Sequence, residues 1–213
     1  MTNFQKRILT ALIVLPISLF FIFIGGYPTL LFLLTIFFLA NYELFSSFKK
    51  RTTILFLNLI LILSLYSIYF LAENSFYLLL WVIILVVCSD IGGYVFGKTF
   101  KWKKLTKISP KKTFSGVLGS FVFSIFSIFI IHNLKIEESS SINFFEVKFF
   151  FLAIIFSLIA QIGDLTISYF KRLEKVKDAG KILPGHGGIL DRIDGLMFVV
   201  IVTVIFYKFN IIP

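Results

Sequence analysis

The chain has 213 residues, of which 58% are hydrophobic and only 15% charged, with 29 Phe and a mean hydropathy of +0.97. A water-soluble core cannot hide that much apolar side chain, so the composition excludes a soluble domain and makes lipid the solvent. A net charge of +10 would suggest nucleic acid in a soluble protein, but in a membrane chain Lys and Arg report orientation, and a nucleic-acid partner is not expected.

Seven apolar runs follow one another, at about 8–24, 28–46, 53–72, 76–95, 116–132, 149–168 and 189–209. Most approach the ~20 residues a helix needs to cross ~30 Å of hydrocarbon. The runs are continuous rather than alternating, which excludes a membrane barrel. Gln5-Lys6-Arg7 precedes the first run and no small-residue cleavage site follows, so this run reads as a retained anchor. Pro16 within it is expected to kink or shift the helix. Cys88 stands alone in an apolar run, which rules out an intramolecular disulfide or a cysteine zinc site.

Orientation follows from the cations. With the N-terminus inside, Lys6, Arg7, Lys49, Lys50, Arg51, the lysines between Lys98 and Lys112 and those between Lys171 and Arg192 all fall on one face. Of the 21 Lys and Arg, only Lys135, Lys148 and Lys208 fall elsewhere. An error of one helix would scatter them, because every later loop would change sides. The expected fold is therefore all-α, a polytopic integral membrane bundle of about seven transmembrane helices. It forms a single membrane domain over 1–213, with a cytoplasmic N-terminus and the C-terminus on the far side. The loop His132–Lys148, with Glu137, Glu138, Glu146 and the Ser139–Ser141 run, reads as solvated.

The polar exception is Ser168–Gly195, SYFKRLEKVKDAGKILPGHGGILDRIDG, set between two apolar runs. Asp191 and Asp194 are spaced i, i+3, which puts both carboxylates on one face of a helix beginning near Ile189. Carboxylates facing a shared pocket suit a hard divalent cation such as Mg²⁺. The Pro184–Gly188 run can turn sharply and bring backbone N–H groups to an anion. Metal-binding carboxylates, amide-rich backbone and flexible cations together suggest a site for a metal-complexed phosphate. The alternative is a solvated basic loop between membrane helices.

Asp90 and Asp164 lie near the cytoplasmic ends of the fourth and sixth runs, Asp164 beside Gly163 and Gln161. An aspartate in a spanning segment costs about 2.5–3.5 kcal/mol at mid-bilayer and usually faces a polar cavity or an interhelical hydrogen bond. Gly92–Thr99, GGYVFGKT, matches the P-loop pattern literally. No soluble sheet exists to host it, and Gly92, Gly93 and Gly97 read instead as sites of close helix packing.

The polar stretch closely resembles the signature of CDP-diacylglycerol synthases, the phosphatidate cytidylyltransferase family. The positions that carry it are Ser168, Lys171, Arg172, Lys177, Asp178, His186, Gly187, Gly188, Asp191, Arg192 and Asp194. A second segment, Ser89–Lys98 continuing to Ser109-Pro110-Lys111-Lys112-Thr113-Phe114-Ser115-Gly116, resembles the family's Asp-containing helix end and its Ser-Pro-Lys-Lys-Thr element. Ser115 stands where that element usually has Glu. The resemblance covers residues 89–116 and 161–195, and implies an active site built from both segments on the cytoplasmic face of the cell membrane.

What the resemblance implies is a nucleotidyltransferase of phospholipid biosynthesis that condenses CTP with phosphatidic acid into CDP-diacylglycerol and pyrophosphate. By carry-over, Asp164, Asp191 and Asp194 belong to the Mg²⁺ site and, with Lys171, to catalysis. Lys111, Lys112, Arg172, Lys177 and Arg192 hold phosphates, Asp178 orients those cations, and Gly187 and Gly188 belong to substrate binding. His186 reads as a structural or phosphate-contacting residue, since a phosphate monoester is already a nucleophile. A second, monovalent cation and homodimerisation stay open. The rival readings are a CTP-dependent polyprenol or lipid-alcohol kinase, a membrane transporter, and an inactive structural homologue.

The partition of Lys and Arg is testable. In a Cys88→Ala background, Ser140→Cys should react with an impermeant thiol reagent added outside intact cells, whereas Lys104→Cys should not. The opposite labelling pattern overturns the topology.

Overall fold

The computed structural model describes residues 3–106, 108–110, 112–134, 142–176, 178–180, 182–183, 185 and 187–213, with the backbone alone at 3–9 and 11. Among the described residues seven helices run α1 (Asn3–Ile24), α2 (Gly26–Ser47), α3 (Arg51–Asn74), α4 (Phe76–Phe100), α5 (Phe114–Asn133), α6 (Val147–Leu173) and α7 (Leu190–Lys208). No strand forms among the described residues, only the isolated bridges Lys104–Thr113 and Leu183–Gly187. The protein is thus an all-helical membrane bundle. Helices α2 to α6 are each long and apolar enough to cross a bilayer. The apolar part of α1 is shorter, Leu12–Ile24, and α7 carries Asp191, Arg192 and Asp194 in its first turns. Pro16 lies inside α1.

The helices extend past their apolar runs at the end where polar residues gather. α4 continues to Phe100 and α6 to Leu173, so the GGYVFGKT run is helical and no phosphate-binding loop forms there. Hydrogen bonds at the two ends of the bundle show the chain alternating in direction. At one end Gly26 N donates to Glu73 Oε1 at 2.6 Å, joining the α1–α2 and α3–α4 turns. At the other, Lys49 N and Lys50 N donate to Glu174 Oε2 and Oε1, each at 3.1 Å, which ties the α2–α3 turn to the end of α6.

α4 and α5 make the closest helix pair. A Cβ at Gly92 would meet Gly119 O, and one at Gly119 would meet Gly92 O and the Phe96 side chain. Lipid tails are as apolar as leucine, so contact of this kind and interhelical hydrogen bonds, rather than a hydrophobic drive, hold membrane helices together. The bonds are present: Ser89 Oγ and Ser157 Oγ lie 2.7 Å apart between α4 and α6, Ser120 Oγ donates to Ser89 O at 2.8 Å, and Trp81 Nε1 donates to Ser127 Oγ at 3.1 Å. Buried Trp81 is packed by Phe144, Phe149 and Phe156, filling the half of the bundle away from the polar end.

Gly119→Ala should therefore force α4 and α5 apart, at a cost of about 1–3 kcal/mol of overpacking. The melting temperature in detergent should fall for Gly119→Ala and stay within error for Val122→Ala, whose side chain is exposed on the same helix.

Candidate active site

The polar end is assembled from the chain's turns. Lys101, in the left-handed region at φ 50°, ends α4. The segment beyond doubles back: Leu105 N donates to Lys112 O at 2.8 Å, Phe114 N to Lys103 O at 3.1 Å, and Ser109 N to Thr106 Oγ1 at 3.2 Å. This fold-back lays Lys112 against α6, where Nζ is 2.6 Å from Asp164 Oδ2 and donates to Gln161 O at 3.2 Å. Thr113 then caps α5, its Oγ1 accepting from Gly116 N at 3.1 Å. Ser115 is buried with its Oγ 3.0 Å from Thr113 Oγ1, so the position that departs from the motif's glutamate is folded into this cap.

α6 and α7 approach closely through the glycine beside each functional aspartate. A Cβ at Gly163 would press on Phe198 and lie 3.0 Å from Asp194 O; one at Gly195 would lie 3.2 Å from Ala160 O. The approach brings the Asp164 and Asp194 carboxyls together at one cavity. Two carboxylates brought together share a proton or a cation, because two bare charges repel.

Asp191 is placed differently. Lys171 Nζ lies 2.7 Å from its Oδ1, with side-chain exposures of 10% and 7% for the two partners. Its Oδ2 accepts from Ala179 N at 2.9 Å and from Gly188 N at 3.1 Å. Both oxygens are engaged, and the carboxylate gathers the end of α6, the connecting loop and the start of α7. Within that loop Leu183 and Gly187 exchange backbone hydrogen bonds of 3.0 and 3.2 Å around a tight turn, with Gly185 and Gly187 in the left-handed region.

A cavity of about 340 Å³ opens between these elements. Four carboxylates, Asp90, Asp164, Asp191 and Asp194, and two cations, Lys112 and Arg192, line it, with Tyr94, Ser109, Thr113 and Gln161 between them. The sequence-derived set is thus gathered in part. Lys112, Asp164, Asp191, Arg192 and Asp194 reach the cavity, and Lys171 touches it through Asp191. Arg172 is exposed, and its Nη1 donates to Val176 O at 3.2 Å. Asp178 is exposed as well, and Gly187 and Gly188 lie in the loop rather than at the cavity wall. Lys111, Lys177 and His186 lie outside the described residues. Sequence reasoning passed over Glu43, a buried carboxylate on α2 against the same loop; an ionisable residue inside an apolar run was the available signal.

The donor set fits a hard divalent ion. Among the described lining residues carboxylates outnumber Lys112 and Arg192, although Lys171 pairs with Asp191 and Lys112 with Asp164, so a cation has oxygen donors here. Among the described residues no three acidic or imidazole groups converge into a full ligand cage. That suits Mg²⁺, which takes one or two carboxylates and completes its shell with water and substrate phosphate.

The profile of the cytidylyltransferase family matches residues 52–210. The chain belongs to the cytidylyltransferase family. Its members transfer a cytidylyl group, so the protein is an enzyme of the nucleotidyltransferase class. It is 35% identical over 207 residues to a phosphatidate cytidylyltransferase of Rickettsia felis, covering 92% of this chain and 88% of that protein. A Rickettsia conorii protein of the same name is 42% identical over 131 residues, 57% of this chain and 56% of that one. For a Helicobacter pylori counterpart the identity is 40% over 121 residues, covering 56% and 43%.

The geometry separates the two signature aspartates. Asp191→Asn leaves Lys171 buried without its partner and should cost about 3–5 kcal/mol, as does breaking any buried pair. Asp194→Asn removes one of two neighbouring carboxyls, so its melting temperature should not fall. Thermal unfolding of both variants in one detergent, without added metal, checks the contrast.

Proposed function

We propose that this cavity condenses CTP with phosphatidic acid, at the cytoplasmic face of the membrane, into CDP-diacylglycerol and pyrophosphate. The observation that carries the reading is the cavity itself: carboxylates on α6 and α7, faced by Lys112 and Arg192, at one end of a membrane bundle. A lipid phosphate stands at that depth while its tails remain in the bilayer. Its oxygen attacks the α-phosphorus of CTP, the new P–O bond forms, and the bond to the β-phosphate oxygen breaks. No covalent protein nucleophile is required.

Mg²⁺, where bound, offsets charge on the triphosphate and on the leaving pyrophosphate. Asp164 and Asp194 are the residues that would hold it, with Asp90 facing the same space. Asp191 supports that site by fixing the start of α7 rather than by presenting free oxygens. Lys112 keeps Asp164 in place until substrate arrives and is then positioned to neutralise a phosphate oxygen. Arg192, on the rim, offers a planar fork suited to a phosphate. A monovalent second cation would fit the same surplus of carboxylates.

Radiolabelled CTP tests the reaction. Label in the α-phosphate should enter the lipid with release of pyrophosphate; transfer of the γ-phosphate instead would identify a lipid-alcohol kinase. Asp164→Asn and Lys112→Met should each lower turnover about 10²–10³-fold, the range for removing one group that stabilises developing charge. Wild-type turnover in both would place the chemistry elsewhere.

A further inference from the structure

α7 bears the cavity residues Asp191, Arg192 and Asp194, yet its own sequence does not cap it. The N-cap residue is Ile189, which has no side-chain acceptor for the first N–H groups of the helix. Those donors must find partners when buried. The partner comes from another helix. Glu43, near the end of α2, is 1% exposed, and its Oε2 accepts from Leu190 N at 3.3 Å. Its other oxygen, Oε1, is buried with no hydrogen-bond partner among the described residues.

Glu43 shares a buried face of α2 with Ala40 and Leu44, where an acid is costly without donors. The N-terminus of a helix supplies both donors and favourable dipole. The loop is shaped around the side chain: a Cβ at Gly180 would meet Glu43 Cγ, Cδ and Oε1, and one at Gly188 would lie 2.7 Å from Oε2. Nearby, Glu174 ties the end of α6 to the α2–α3 turn through Lys49 N and Lys50 N. Glu43 lies outside residues 52–210, the span matched by the family profile.

We propose that Glu43 is a positioning residue, capping α7 from α2 and thereby setting Asp191, Arg192 and Asp194 at the cavity. Its effect on turnover rests on the cytidylyl-transfer reading above; its effect on the loop does not. A shift of the α7 start by about 1 Å is enough to cost on the order of 100-fold in rate.

The test pairs two readouts on purified protein in detergent: turnover of CTP with phosphatidic acid, and the rate of tryptic cleavage at the basic residues of 171–181. Glu43→Ala should lower kcat on the order of 100-fold and speed cleavage. Glu43→Gln, which keeps an acceptor for Leu190 N–H, should recover most of both. Gly180→Ala, whose Cβ would have Glu43 side-chain atoms as its three nearest neighbours, should impair the wild type but add nothing in Glu43→Ala. Should Glu43→Ala fail to fold, Gly180→Ala and Glu43→Gln carry the same comparison. Unchanged kcat and cleavage in Glu43→Ala overturns the proposal, as does a lower melting temperature with unchanged kcat per folded molecule. Additive losses in the double variant also overturn it. If the wild type forms no CDP-diacylglycerol, the enzymatic reading fails, while the cleavage rates still decide the role of Glu43.

Discussion

The buried ion pair between Lys171 and Asp191 holds the polar end together. Taking two charges out of water is expensive, and the attraction between them compensates only when the remaining donors and acceptors are also satisfied. Here Asp191 meets that condition through Ala179 N and Gly188 N. One carboxylate therefore joins the last turn of α6, two points of the connecting loop and the first turn of α7. Without it the loop would lose its link to both helices, leaving the Gly163 and Gly195 contacts and Glu43 to locate the start of α7.

That position matters because the cavity is built between helix ends rather than within any one helix. Asp164 and Asp194 come together only because Gly163 and Gly195 let α6 and α7 approach. Lys112 arrives from a different direction, carried by the fold-back of the 101–113 segment onto α6. The result is a small space where carboxylates and cations stand close together, next to a low-dielectric medium that does not screen them.

The apolar part of the bundle makes this arrangement stiff. α4 and α5 touch along Gly92 and Gly119, and serine hydroxyls bridge α4 to α5 and to α6 just beneath the cavity. Where neither lipid nor protein offers a hydrophobic drive, these bonds and close contacts define which helix faces which. The floor of the cavity, with Ser120 and Gln161, is continuous with that network, Gln161 Nε2 lying 3.4 Å from Ser157 Oγ.

Local properties were legible in the sequence. The membrane class, the number of helices and most of their limits follow from apolar runs near the length that spans a bilayer, because hydrocarbon leaves the backbone few other choices. The motif residues Lys112, Asp164, Asp191, Arg192 and Asp194 were legible as a group, since charge inside an otherwise apolar chain stands out. Their division of labour was not. Spacing i, i+3 placed Asp191 and Asp194 on one face, but only packing decided that Asp191 would be consumed by Lys171 and two backbone amides while Asp194 would meet Asp164. Arg172, adjacent to Lys171 in sequence, faces outward because a helix turns about 100° per residue, and the neighbour that takes one inward sends the other out. Glu43 stands out as an acid in an apolar run, but its role was not legible: its partner Leu190 lies 147 residues away, and no local pattern encodes a contact that exists only once α2 and α7 have packed.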